Sequence, residues 1–233
     1  MLPTPTLNAT TSTPVLFWWS IFGAILLALV PTLWPQLDLA AASLFMGNPP
    51  LLDSKAWWWI ELINLYLPAL FRVWLVLCLL AWLYARYKKA TLQWRLALAF
   101  VAVAGTVGPG LIVNLGFKDN WQRARPYQVE NFGGTQLFTR ATVVTDQCDN
   151  NCSFVSGHVA CGFFLASLML VHRRRAKTWL VVGALAGVAT GFARMSAGAH
   201  WLSDVLWAFP ITMLSSWLVW RALLWTQRQS KPE

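Results

Sequence analysis

Six stretches of the chain are apolar over about 20 residues, the length a helix needs to cross a hydrocarbon layer. They cover residues 15–34, 66–87, 94–117, 154–171, 179–198 and 203–225. None alternates like a strand of a membrane β-barrel, and no segment repeats another. The expected fold is therefore an all-α membrane protein, with six transmembrane helices in one bundle forming a single domain over residues 1–233. Only 12% of residues are charged, against about 25% in soluble domains. Sixteen tryptophans suit a chain that meets two membrane–water interfaces. Residues 1–14 are a polar, uncharged tail without the basic stretch of a cleavable signal, so the first apolar run is expected to stay as a span.

The flanking charges orient the spans. Arg86, Lys88, Lys89 and Arg95 lie between the second and third, and Arg173, Arg174, Arg175 and Lys177 between the fourth and fifth. Arg221, Arg228 and Lys231 close the chain, the last two within the tail 226–233. Basic residues concentrate on the cytoplasmic side, which places both termini there. All acidic residues but Glu233 fall in or beside the opposite loops. The net charge of +9 is thus distributed by topology and does not indicate nucleic acid. The outer side receives residues 35–65, with two amphipathic stretches suited to the interface. It also receives the polar loop 118–153 and a short turn near residues 199–202.

Three clusters meet at that outer face. "KDNWQRARP" follows span three and carries Lys118 and Arg125. "VSGH" opens span four with Ser156, Gly157 and His158, and "RMSAGAHWLSD" closes span five with Arg194, His200 and Asp204. A lysine and two arginines converging on one point hold a phosphate, the guanidinium fork matching its oxygens. Ser156 and the amides of Gly157 and His158, at a helix start, add neutral donors and a favourable dipole. His200 and Asp204 share a face if helical, so the carboxylate can orient the imidazole and stabilise its cation after nucleophilic attack. His158 can protonate the departing oxygen. Such a set makes a phosphate-ester hydrolase that requires no metal.

The pattern resembles the type 2 phosphatidic acid phosphatase superfamily, whose signature reads K-x6-R-P, then P-S-G-H, then S-R-x5-H-x3-D. Here the matching stretches run over residues 118–126, 155–158 and 193–204. The resemblance implies that His200 is the nucleophile forming a phosphohistidine, Asp204 its orienting carboxylate and His158 the acid. Lys118, Arg125, Ser156, Gly157 and Arg194 correspond to the phosphate-binding set. Val155 replaces the usual proline, altering the helix entrance, and Ala193 replaces a serine, removing one hydroxyl. The expected activity is a metal-independent lipid phosphatase without cofactor, facing the periplasm from a bacterial inner membrane. Undecaprenyl pyrophosphate, phosphatidylglycerophosphate, phosphatidate and lipid A phosphates are compatible substrates. Rival readings are a lipid phosphotransferase, a non-catalytic phospholipid-binding or transport protein, and a haloperoxidase-like site.

Other residues invite separate readings. Arg72 lies about 9 Å inside the second span at 1.5 Å per residue, where a charge is costly. It is either a substrate contact, with Glu61 or Asn64 as partner, or a snorkelling side chain. Arg123 and Arg140 read as solvated, or at most as touching a head group, and His172 as an ordinary interfacial residue. Cys148 and Cys152 flank "DNN" and suit a disulfide bracing the loop in an oxidising compartment; half of a zinc site is the alternative. Cys78 and Cys161 read as small core residues. The apolar residues of "ENFGGTQLFT", which bears a slight resemblance to loops of bacterial lipid A phosphatases, are expected to dip to the membrane and line the way into the site.

Overall fold

A computed structural model describes residues 13–54 and 57–229. Lys231, Glu233 and most of the 1–14 tail lie outside the described residues. The described chain is helical, since backbone groups without water must bond within their own segment. Helix α1 (Val15–Leu33) is followed by the short α2 (Gln36–Met46) and the long α3 (Trp58–Tyr87). Helix α4 (Leu92–Gly105) continues as a wider π-helical stretch, Thr106–Lys118, and then the three-residue α5 (Asp119–Trp121). Helix α6 (Gly157–Ser167) ends in a tight turn at Leu168–Leu170, before α7 (Ala176–Ser196) and α8 (Leu202–Gln229). Pro109, flanked by Gly108 and Gly110, lies in the π-helical stretch and lacks the N–H an ordinary turn would use.

Among the described residues, five helices are long and apolar enough to cross a membrane: Val15–Leu33, Trp58–Tyr87, Leu92–Lys118, Arg173–Ser196 and Leu202–Gln229. The expected fourth span is shorter. Phe154–Ser156 is not helical, which leaves Gly157–Leu170, about 21 Å long at 1.5 Å per residue. Most of this helix is buried, packed chiefly against α7 and α8. It is the core around which the longer helices assemble.

Close approach of α6 and α7 depends on small residues, which let backbones meet where no water drives association. A Cβ at Gly187 would lie 2.0 Å from the Phe163 ring, and one at Gly183 would lie 2.1 Å from the Ala166 nitrogen. The main core gathers Phe100, Phe163, Phe164, Phe209, Met213 and Trp220 between these helices. Trp217 donates to Thr13 and Trp207 to Thr32, both at 3.0 Å, so α1 and α8 run antiparallel. The start of α1 and the end of α8 therefore share one end of the bundle. The turns bearing Lys88 and Arg173–Arg175 lie at that end too, and α2, loop 118–156 and the α7–α8 turn lie at the other.

Candidate active site

His200 sits in the turn between α7 and α8. Gly198 adopts a left-handed φ of +63°, a conformation costly for residues with a Cβ. The turn is closed by Gly198 N–H donating to Met195 O at 2.8 Å and Ala199 N–H to Arg194 O at 3.0 Å. His200 thus precedes α8 instead of sharing its face, while Asp204 occupies the first turn of that helix. The two still meet: His200 Nδ1 lies 3.6 Å from Asp204 Oδ2, both side chains fully buried. That is slightly longer than a hydrogen bond. Nε2, the other ring nitrogen, is buried without a hydrogen-bond partner among the described residues. Burial pushes the His200 imidazole down to about 3, with Asp204 opposing and Arg194 and Lys118 adding to the fall.

Ser156 caps α6, its Oγ accepting from Val159 N–H at 3.4 Å, which leaves the hydroxyl proton to donate elsewhere. A Cβ at Gly157 would lie 2.7 Å from Asn114 Oδ1, so any larger residue would have to displace the Asn114 side chain. His158 follows in the first turn, its Nε2 3.4 Å from the Asn64 carbonyl oxygen. The charges of Arg194, Lys118 and Arg125 all act on His158.

Those three cations come from three elements. Lys118, at the end of the π-helical stretch, donates to Asn151 Oδ1 at 3.1 Å. Arg125 donates to the Asn151 carbonyl through Nε at 3.0 Å and Nη2 at 2.5 Å. Desolvation is the main effect on Arg125, drawing it below the usual guanidinium range, with Tyr127 and Asp204 opposing. Arg194, in the last turn of α7, donates to Asn64 Oδ1 at 2.8 Å. Cys148 and Cys152 are joined, with Cα atoms 5.7 Å apart, immediately beside Asn151.

Arg123 corrects the expectation of a solvated side chain: it is fully buried. Its Nη1 bonds Asp204 Oδ1 at 2.6 Å, and its Nη2 bonds Asp38 Oδ2 at 2.8 Å. Nε donates to Thr139 O at 2.8 Å, and Trp201 and Phe138 stack against the guanidinium at 5.3 and 5.8 Å. Burial raises the Asp38 carboxyl above its ordinary range, opposed first by Arg123. Arg140, by contrast, is exposed. Phe132 and Phe138 of loop 130–139 pack on Trp201, and Phe138 also lies over Arg123; Leu137 alone of the three is exposed. Arg72 is exposed on α3, as is Glu61, and Asn64 is engaged by Arg194 instead of by Arg72.

Asp38, Ser153 and Asn151 escaped the sequence reading, and Arg123 and Asn64 take roles other than those it gave them. Asp38 carried the one usable signal: a lone carboxylate in the apolar stretch "QLDLAAASLF" needs a partner if that face is buried. Ser153 donates to Asp204 Oδ2, and so does the Trp201 amide at 2.9 Å. The His200 imidazole thus lies beside a carboxylate, within the field of Arg194 and Lys118.

The PAP2 superfamily model matches residues 94–228, the span that carries all three clusters. A lipid A 4'-phosphatase of Francisella tularensis subsp. novicida is 37% identical over 70% of this chain and 73% of its own length. A lipid A 4'-phosphatase of Rhizobium leguminosarum is 36% identical over 79% of this chain and 78% of its own. A third, from Rhizobium etli, is 40% identical over 51% of this chain and 45% of its own. No solved structure matches. With the signature residues gathered at one end of a helical bundle and the family match running through them, the chain belongs to the PAP2 superfamily.

Proposed function

We propose that this protein is a membrane lipid phosphatase acting through a phosphohistidine. The reading rests on the unpartnered Nε2 of His200, backed at Nδ1 by Asp204 and facing a cationic wall. Nε2 attacks phosphorus while the bond to the lipid oxygen breaks, and His158 gives that oxygen its proton. Asp204 stabilises the imidazolium that forms. Lys118, Arg125, Arg194, the Ser156 hydroxyl and the Gly157 amide hold the charge growing on the phosphoryl oxygens. Water then attacks the phosphohistidine, His158 takes its proton, and phosphate leaves with both histidines restored. Neutralising the phosphoryl charge in this way is the work a metal would otherwise do, so activity is expected to survive EDTA.

A lipid substrate is favoured by an apolar cavity of about 370 Å³ between α3, α6 and α7. Its lining includes Ile63, Cys161 and Thr190. Ile63 neighbours Asn64, and Cys161 and Thr190 lie one helical turn from His158 and Arg194 respectively. An acyl chain seated there keeps a phosphate at the site. The similarity to three lipid A 4'-phosphatases favours a phosphate of lipid A. The charge layout favours six spans, α6 being the buried fourth, with both termini cytoplasmic and the site facing the periplasm of a bacterial inner membrane. There an oxidised Cys148–Cys152 link would be kept.

The test is phosphate release by purified protein from a lipid A phosphate, undecaprenyl pyrophosphate, phosphatidylglycerophosphate and phosphatidate, each with and without EDTA. Release of phosphate without an added acceptor lipid separates hydrolysis from phosphotransfer. Silence on all four lipids, or a strict need for a divalent ion, would overturn the reading.

A further inference from the structure

Behind Asp204 lies a buried chain of charge that the reaction sequence above does not use. Each Asp204 oxygen is engaged: Oδ1 by Arg123 Nη1 at 2.6 Å, and Oδ2 by Ser153 and the Trp201 amide beside His200. Arg123 in turn reaches Asp38 at 2.8 Å. Ser203 links the two, accepting from Arg123 Nη1 at 2.9 Å and donating through Oγ to Asp38 Oδ2 at 2.5 Å. The Ser203 amide donates to Asp38 Oδ1 at 2.8 Å. Asp38 is fully buried and accepts from Arg123 Nη2 and from the Ser203 hydroxyl and amide, donors that favour an ionised carboxylate.

A single buried Arg123–Asp204 pair would be electrically neutral. It would offer little attraction to a positive charge developing on His200. With Asp38 on the far side of Arg123, the group of three carries one net negative charge, and Oδ1 is locked so that Oδ2 faces the imidazole. At low local dielectric such a charge acts strongly on a neighbour 3.6 Å away.

We infer that Asp38 and Arg123 are positioning residues that hold Asp204 toward His200 and supply the net negative charge that stabilises the His200 cation. The inference rests on the nucleophilic role given to His200 above. Neither residue touches the phosphate; both act through Asp204.

The discriminating variant is Asp38→Asn, which preserves shape and removes charge. With wild-type protein active on a lipid phosphate, kcat is expected to fall about 10- to 100-fold, the scale for outer partners of a reacting group. KM and the inhibition constant of inorganic phosphate should stay within about 2-fold of wild type, because the cationic wall is unchanged. In an Asp204→Asn background, Asp38→Asn should cost little further, as residues acting in one chain are not additive. An unchanged kcat would overturn the inference, as would a parallel loss of phosphate inhibition, which marks a role in pocket shape alone. Full additivity with Asp204→Asn would also overturn it. If Asp38→Asn does not yield folded protein, Ser203→Ala removes the hydroxyl bridge instead, and an unchanged kcat there is equally fatal. Arg86→Ala, exposed at the opposite end of the bundle, serves as the unaffected control. Wild-type protein that releases no phosphate from any lipid would instead remove the function on which the inference stands.

Discussion

Arg123 and Arg125 are two residues apart in one loop and do opposite things. Arg125 faces the site, braced by the neutral carbonyl of Asn151, and Arg194 is held similarly by the amide of Asn64. A neutral brace fixes a guanidinium without cancelling its charge, so the charge stays available to a phosphate. Arg123 lies behind the site between two carboxylates; its charge is spent on the protein, where it fixes Asp204. Arg125 and Arg194 are the front cations and Arg123 the rear one, though nothing in the side chains themselves distinguishes them.

The sharpest break in that division is the residue between front and rear. His200→Ala should lower turnover by about 10⁴-fold or more, the scale of losing a nucleophile, while inhibition by inorganic phosphate persists. Near-normal phosphate release from this variant would remove the nucleophilic role. The two classes of arginine should then separate by what each loss damages. Arg123→Met leaves two buried carboxylates facing each other and should destabilise the fold by about 3–5 kcal/mol, read as a lowered thermal midpoint in detergent. Arg194→Gln should leave that midpoint nearly unchanged but lower kcat/KM about 10²- to 10³-fold, as for a lost preorganised donor. Equal thermal effects would erase the distinction between front and rear.

A smaller effect concerns proton uptake. The folded pKa of His200 is pushed down to about 3 from an ordinary 6.5, so between those values the unfolded chain binds a proton that the folded chain refuses. Stability from this group is complete above pH 6.5 and is lost as pH falls through the window. The loss at pH 5 is about 2 kcal/mol at 1.36 kcal/mol per unit. His200→Gln should therefore lose less thermal stability than wild type between pH 7 and pH 5, and an equal loss would place the acid sensitivity elsewhere. The mildest change is Ala189→Phe in the apolar cavity. It should raise KM several-fold for a long-chain lipid phosphate and spare a short water-soluble ester, since the front cations are untouched. An equal effect on both substrates would show that the cavity holds no chain.

Much of this was legible before folding. Apolar length marked five of the helices, and the alternation of loops across the bundle brought Lys118, His158 and His200 to one end. The fourth span was read too long because hydropathy does not distinguish an apolar extended segment from an apolar helix; Phe154 and Val155 are buried but precede the first helical turn. The partner of Phe132 and Phe138 was not legible, because an apolar side chain in a loop seeks any dry surface; one such surface is Trp201, 4.8 Å from Phe138. Cys148 and Cys152, four apart in sequence, needed only a local turn to meet.

The sequence by itself determined which clusters share one end of the bundle, because each successive long helix carries the chain from one end to the other. It also determined the three clusters that carry the family signature, since those sit at helix ends with fixed spacing. Only tertiary structure decided which arginine of "RAR" is braced by the neutral Asn151 and which turns inward between two carboxylates. A loop has no periodicity to assign its faces, and the choice is made by Asp38, which is 85 residues upstream and can pair with Arg123 alone once α2 is packed beside α8.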